Sequence, residues 1–75
     1  MTEQDLIDLG FEKEFGDNFH YYTYDFTRGF GLITQANDEV VDDNWTVEVF
    51  ELDGKIQYND KSIVKSLIEI INKGK

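Results

Sequence analysis

Apolar and polar positions alternate along the middle of this chain with a period of two and regroup near its end with helical spacing. From His20 to Phe26 the residues are largely aromatic, side chains that fit a pleated, half-buried surface and predict a strand. Phe11 to Phe15 alternates apolar and charged residues, and Gly16-Asp17-Asn18 is a turn, so the two runs predict a hairpin. After Thr27-Arg28-Gly29, the run Phe30 to Ala36 resumes as a strand, with Phe30 and Leu32 on one face, Ile33 on the other, and a bulge marked by Gly31. Trp45 to Leu52 sets Trp45, Val47 and Val49 against Thr46, Glu48 and Phe50. Asp53-Gly54 then precedes a return strand from Lys55 to Tyr58, a two-residue hairpin signal because both positions tolerate positive φ.

Helical signals bracket these strands. Thr2 followed by Asp5 is a short capping box, Leu6, Ile7 and Leu9 lie on one side, and Gly10 stands where a left-handed C′ residue belongs. These features predict a helix of about two turns, with Phe11 closing back on it. Asn59 or Asp60 caps a final helix whose apolar stripe of Ile63, Val64, Leu67, Ile68, Ile70 and Ile71, ending near Gly74, is too broad to be left to water. The segment Asn37 to Asn44 is rich in Asn and Asp and predicts a long loop. The expected fold is α+β: a short N-terminal helix, an antiparallel sheet of four to five strands in a meander, and a C-terminal helix packed on one sheet face. With no linker and no repeat, residues 1–75 form a single domain.

Composition narrows the function classes. A 75-residue chain of this kind buries only about 60% of the surface its unfolded form exposes. The absence of Cys removes both disulfides and thiolate metal sites, so packing must supply the stability. Sixteen carboxylates against seven cations leave a net charge of −9. That charge is uneven, because residues 1–60 carry fifteen Asp/Glu and three Lys/Arg, net −12, whereas residues 61–75 are net +3. Direct binding to nucleic acid or to an anionic membrane is disfavoured, since both need cations to neutralise phosphate. No apolar stretch approaches a membrane span and no apolar h-region follows Met1, so a cytoplasmic location is expected.

Candidate chemistry is sparse. His20 is the single imidazole and sits in an aromatic strand, where a half-exposed structural histidine is the commoner outcome. Ser62 and Ser66 fall in a helix, and no Cys is present, so no nucleophile and base are paired by the sequence. The acids cluster in turns and a loop, where solvent keeps them ionised rather than splitting their pKa values. Asn37 to Asp42 lacks both the register and the glycine of a calcium loop. The expectation is therefore no catalytic residues, no metal and no cofactor.

Two binding features remain. Alternation divides the aromatic series between both sheet faces, so that if Tyr22, Tyr24 and Phe26 face the helix, then Phe19, Tyr21 and Ile33 lie opposite, and the reverse register exposes Tyr22 and Tyr24. The N-terminal helix or the Phe11–Phe15 arm could equally cover that second face. Asp38, Glu39, Asp42, Asp43, Glu48, Glu51 and Asp53 group near one end of the sheet in this reading. They suit a basic protein partner or a phosphate-mimicking surface. Together with Tyr21, Tyr22 and Tyr24 they are the candidate partner-binding residues.

Met1 to Phe11, Ala36 to Val40 and Trp45 to Phe50 carry a resemblance: the chain resembles small uncharacterised acidic proteins of phages and their bacterial hosts. The resemblance implies no active site; it implies a context in which short acidic proteins bind host factors, among them nucleic-acid-handling defence enzymes. The functional expectation is a non-enzymatic protein-interaction module acting on a host or partner protein with a basic surface, as an inhibitor or nucleic-acid mimic. Two alternatives stand beside it. One is a small-ligand-binding or accessory enzyme domain with an aromatic pocket around Tyr21, Tyr22, Tyr24 and Trp45. The other is a structural homodimer formed through the second sheet face.

Overall fold

The computed structural model describes residues 1–27, 29–49 and 57–74. Along the chain come α1 (Glu3–Asp8), β1 (Glu12–Gly16), β2 (Phe19–Thr27), β3 (Phe30–Thr34), a 3-10 turn (Asn37–Glu39), β4 (Val47–Val49), β5 (Gln57–Tyr58) and α2 (Lys61–Lys73). The strands form one antiparallel meander in the order β1-β2-β3-β4-β5, so the expected α+β architecture is the one observed. The Asp53-Gly54 turn, Phe50 and the start of the expected return strand lie outside the described residues. Among the described residues no helix is long and apolar enough to cross a membrane.

Local chemistry explains both helices. Thr2 caps α1 with a complete capping box: its Oγ1 accepts from the Asp5 N–H, and the Asp5 carboxylate accepts from the Thr2 N–H. At the other end the Phe11 N–H donates to the Leu6 carbonyl and the Gly10 N–H to the Ile7 carbonyl, both at 3.0 Å. This is a Schellman closure, and it requires the left-handed backbone that Gly10 adopts at φ 95°. Phe11 is thereby folded back beside Leu6 in the core. Asp60 caps α2 by accepting from the Ser62 and Ile63 N–H groups, a contribution of about 1 kcal/mol.

The core joins Leu6, Phe11, Tyr22, Phe26, Leu32, Trp45, Val47, Val64 and Ile68. Its members come from α1, its exit, three strands, the segment before β4 and α2, so both helices pack on the same face of the sheet. Tyr22, Phe26, Leu32 and Val47 belong to that face by alternation and register. β1 does not fold over the other face but extends the sheet beside β2. Only part of the α2 stripe is covered. Val64 and Ile68 are buried, whereas Ile63 and Ile70 are 52% and 69% exposed. The expectation that the whole stripe is buried is therefore corrected: a helix resting on a sheet buries the arc it presents, and this stripe is wider than that arc.

Two irregularities shape the sheet. The β2–β3 register shifts between Asp25 and Thr27, leaving Phe26 as the extra residue of a bulge. The shift reconciles Thr27 with Phe30, whose ring packs on Phe26 at 5.4 Å. Gly31, beside the bulge, lies so close to the Tyr24 carbonyl that a Cβ there would sit 2.5 Å from it. Further along, β2 outruns the ladder of β3, and side chains take over: Thr34 Oγ1 accepts from the buried Tyr22 N–H at 3.0 Å, and Asn37 Oδ1 accepts from the His20 N–H at 2.7 Å. Both donors are thus satisfied without a ladder partner.

Leu6→Ala should lower the unfolding free energy by about 2 to 5 kcal/mol, because the side chain is fully buried between layers. Gly31→Ala should cost about 1 to 3 kcal/mol through overpacking against backbone. Urea titration followed by far-UV circular dichroism measures both, and a Gly31→Ala midpoint equal to wild type would contradict the close approach.

Candidate functional site

Alternation along β2 places Phe19, Tyr21, Thr23 and Asp25 on the face opposite the helices, and cross-strand register adds side chains from every other strand. Glu14 lies opposite Tyr21, and Glu12 opposite Thr23. Ile33 continues the row from Thr23 to Glu48 and Gln57, and Gly31 lies opposite Asp25. Since α1 and α2 share the other face, no helix covers this one.

The face has a rigid aromatic wall. Phe19 folds its ring over Gly16, where a Cβ would overlap the ring, and Tyr21 stacks on Phe19 with centroids 6.1 Å apart at 24°. Beside this wall lies an open depression of about 270 Å³, lined by Glu14, Tyr21, Thr23, Asp25, Gly31 and Ile33, with Phe30 at one end. Gly31 belongs to its floor, and the space a Cβ would take there is held by the Tyr24 carbonyl and Asp25. Four carboxylates, Glu12, Glu14, Asp25 and Glu48, share the face, and Glu48 also accepts from Gln57 Nε2 at 2.8 Å. Among the described residues no Lys or Arg points from it. Lys13 lies on the other side, its Nζ 5.4 Å from the Phe15 ring centroid, and Lys61, Lys65 and Lys73 belong to α2.

The sequence-predicted candidates are thereby separated. Tyr21 is on the uncovered face. Tyr22, 2% exposed, and Tyr24 lie on the helix side, because neighbouring residues of a strand cannot share a face; Tyr22 meets Trp45 edge to face at 5.4 Å, and Tyr24 packs on Phe11 at 5.6 Å. Tyr22 and Tyr24 are therefore no part of a surface formed with Tyr21, and Tyr21, Tyr22, Tyr24 and Trp45 do not line one pocket. Asp38 and Glu39 are exposed in the 3-10 turn, and Asp42 is exposed at φ 55°. Asp43 is occupied internally: its Oδ1 accepts from Trp45 Nε1 at 2.8 Å and from the Glu3 N–H at 3.0 Å. Glu48 lies on the uncovered face, apart from the loop acids. Glu51 and Asp53 lie outside the described residues.

A second cluster was not anticipated from the sequence. Glu3 Oε2 accepts from the Tyr22 hydroxyl at 2.6 Å and from His20 Nε2–H at 2.8 Å. These bonds hold the Glu3 carboxyl below its usual range, the tyrosine bond being the largest cause, against opposition from burial. Burial, reinforced by the Glu3 bond, pushes the Tyr22 phenol well above its ordinary value. His20 also packs on Trp45 at 5.9 Å, and its side chain is 21% exposed. Glu3, His20, Asn37, Val40, Asp43 and Trp45 line a shallow cleft of about 260 Å³. Ser62, the nearest thing to a nucleophile in the sequence, donates to Asp60 at the start of α2 instead. The network ties α1 to β2. Glu3 and His20 are 17 residues apart, and no local signal connects them. Among the described residues no group of three or more His, Cys, Asp or Glu side chains is arranged to hold a metal ion.

Comparison with known proteins finds no matching family model, no matching curated protein and no matching solved structure.

Glu3 titrates lower folded than unfolded, so its contribution to stability is present above the ordinary carboxylate pKa and is lost as pH falls through the depressed folded value. Asp5, held down first by the Thr2 backbone bond, and Asp60, held down first by the Ser62 hydroxyl, act with the same sign. Urea midpoints should therefore fall between pH 5 and pH 2, and Glu3→Gln should reduce that fall while lowering the midpoint at pH 7. An unchanged pH profile in the variant would show that Glu3 is not coupled to folding.

Proposed function

We propose that this chain is a non-enzymatic interaction module that binds the basic surface of a partner protein through the uncovered face of its sheet. The observation that carries the reading is the composition of that face: an aromatic wall and an apolar floor, four carboxylates, and no cation among its described residues. A surface of one sign steers an oppositely charged partner and fixes its orientation. Tyr21 and Phe19 add apolar contact area of the kind enriched in interfaces.

The same charge argues against a homodimer formed face to face, because such a contact would set one acidic face against another. The cleft beside His20 offers a fixed imidazole, but its Nε2 is committed to Glu3, and the hydroxyl of Ser62 is committed to Asp60. This supports a binding role over catalysis. A nucleic-acid-handling protein, the host factor suggested by the phage-like resemblance, is the narrowest form of the reading. Its cationic groove would meet the sheet face together with the exposed Asp38, Glu39 and Asp42.

Charge reversal tests the assignment to this face. The Glu14→Lys/Asp25→Lys variant should lose basic proteins that the wild type captures from lysate at low ionic strength and releases with salt. Lys65→Glu, on the opposite layer, should keep them. Equal capture by the sheet-face variant, with its circular dichroism unchanged, would overturn the reading.

A further inference from the structure

The depression on the uncovered face spans three cross-strand rows. Glu14 and Tyr21 form one row across the strands, Thr23 and Ile33 the next, and Asp25 and Gly31 the third. All are among the residues lining the depression. Tyr21 and Asp25 are four residues apart on one strand, so the carboxylate beside Tyr21 and the one at Asp25 are separated along the strand by about 13 Å. Between them the depression is lined by Thr23 and Ile33, while Glu12 and Glu48 stand at the outer ends of that same row, outside the lining.

An extended polypeptide repeats its side chains on one face every second residue, at about 6.6 Å. A segment lying along this depression would set its first, third and fifth side chains over the three rows in turn. Within the lining, carboxylates stand at the first and third rows and Thr23 and Ile33 at the second, which favours cations at the ends and an uncharged, apolar group in the middle. Resting on the interaction reading above, we propose that the depression takes an extended segment of the partner protein with the pattern cation, any, apolar, any, cation. Glu14 and Asp25 pair with the two cationic side chains. Tyr21, held flat by Phe19, offers its ring to the aliphatic stem of the first. The apolar side chain sits between Thr23 and Ile33.

The Gly31 floor is part of the site and not a free design choice, since a Cβ would strike the Tyr24 carbonyl. The bulge at Phe26 adjoins this third row, so the irregularity in the β2–β3 register lies at the end of the depression where the second cation binds.

Two capped peptides of identical composition test this proposal, Lys-Thr-Val-Thr-Lys and Lys-Lys-Thr-Val-Thr, titrated into the full chain and followed by amide chemical shifts. The spaced peptide should move the amides of Glu14, Tyr21 to Asp25 and Gly31 to Ile33, and bind about tenfold more tightly than the other. Glu14→Gln and Asp25→Asn should each weaken it about threefold to fivefold, while Asp38→Asn leaves it unchanged. A linear diamine of matching length should bind more weakly, for want of the middle side chain; equal or tighter binding would overturn the assignment to a polypeptide. Equal affinity for the two peptides, with shifts still on this face, would overturn the spacing and leave the interaction reading standing. Shifts confined to residues off this face would overturn both.

Discussion

Leu6, Leu32, Val47 and Val64 are the most completely buried side chains, and they come from α1, two strands and α2. Their meeting forces both helices onto one side of a five-stranded sheet. The two sides of the sheet consequently have different occupations: one carries the core, and the other carries whatever the alternate positions of each strand supply. Among the described residues of this 75-residue chain both helices cover one face and none covers the second, as expected of a domain too small to bury both sides of its sheet.

That limit separates charge as well as burial. Lys61 sits in the helix layer with Asp5 and Asp8 within 3.5 Å, and Lys65 and Lys73 follow along α2. The carboxylates of β1, β2 and β4 are left on the other face without nearby cations among the described residues. The uneven charge of the chain is thus divided between the layers: α2 offsets the carboxylates of α1 on the helix side, and those of the strands are left on the other. The physical origin of this division is the packing of α2 on the helix side rather than the total charge.

The uncovered face is also not a flat sheet. Phe19 closes over Gly16, the aromatic filling the space that glycine leaves, and this fixes Tyr21 as a wall. Gly31 lets β2 approach closely, its missing Cβ leaving room for the Tyr24 carbonyl. Each feature depends on backbone approach: a glycine is needed wherever a ring or a carbonyl comes too near for a Cβ. On the opposite side, the bond from His20 to Glu3 and the contact of Asp43 with Trp45 and the Glu3 N–H pin α1 and the loop after the 3-10 turn to β2. The aromatic strand is therefore gripped from below while its upper face stays open.

Much of this was determined by the sequence alone, wherever the physics acts within a few residues. Thr2 with Asp5, Gly10 and Asp60 are caps whose donors and acceptors lie within one helical turn, and each sits where its residue type predicts. Alternation through Phe19 to Phe26 likewise settled that Tyr21 and Tyr22 must part company, whichever face the helices took. Only the tertiary structure decided which face that was, because a period of two defines two sides but gives neither a preference. It also brought Glu3 to His20 and Tyr22, spent Asp43 on Trp45, and left Ile63 and Ile70 in the open. Each of those outcomes depends on contacts between residues far apart in the chain, or on how much of a helix its neighbour can reach, and no local pattern encodes either distance.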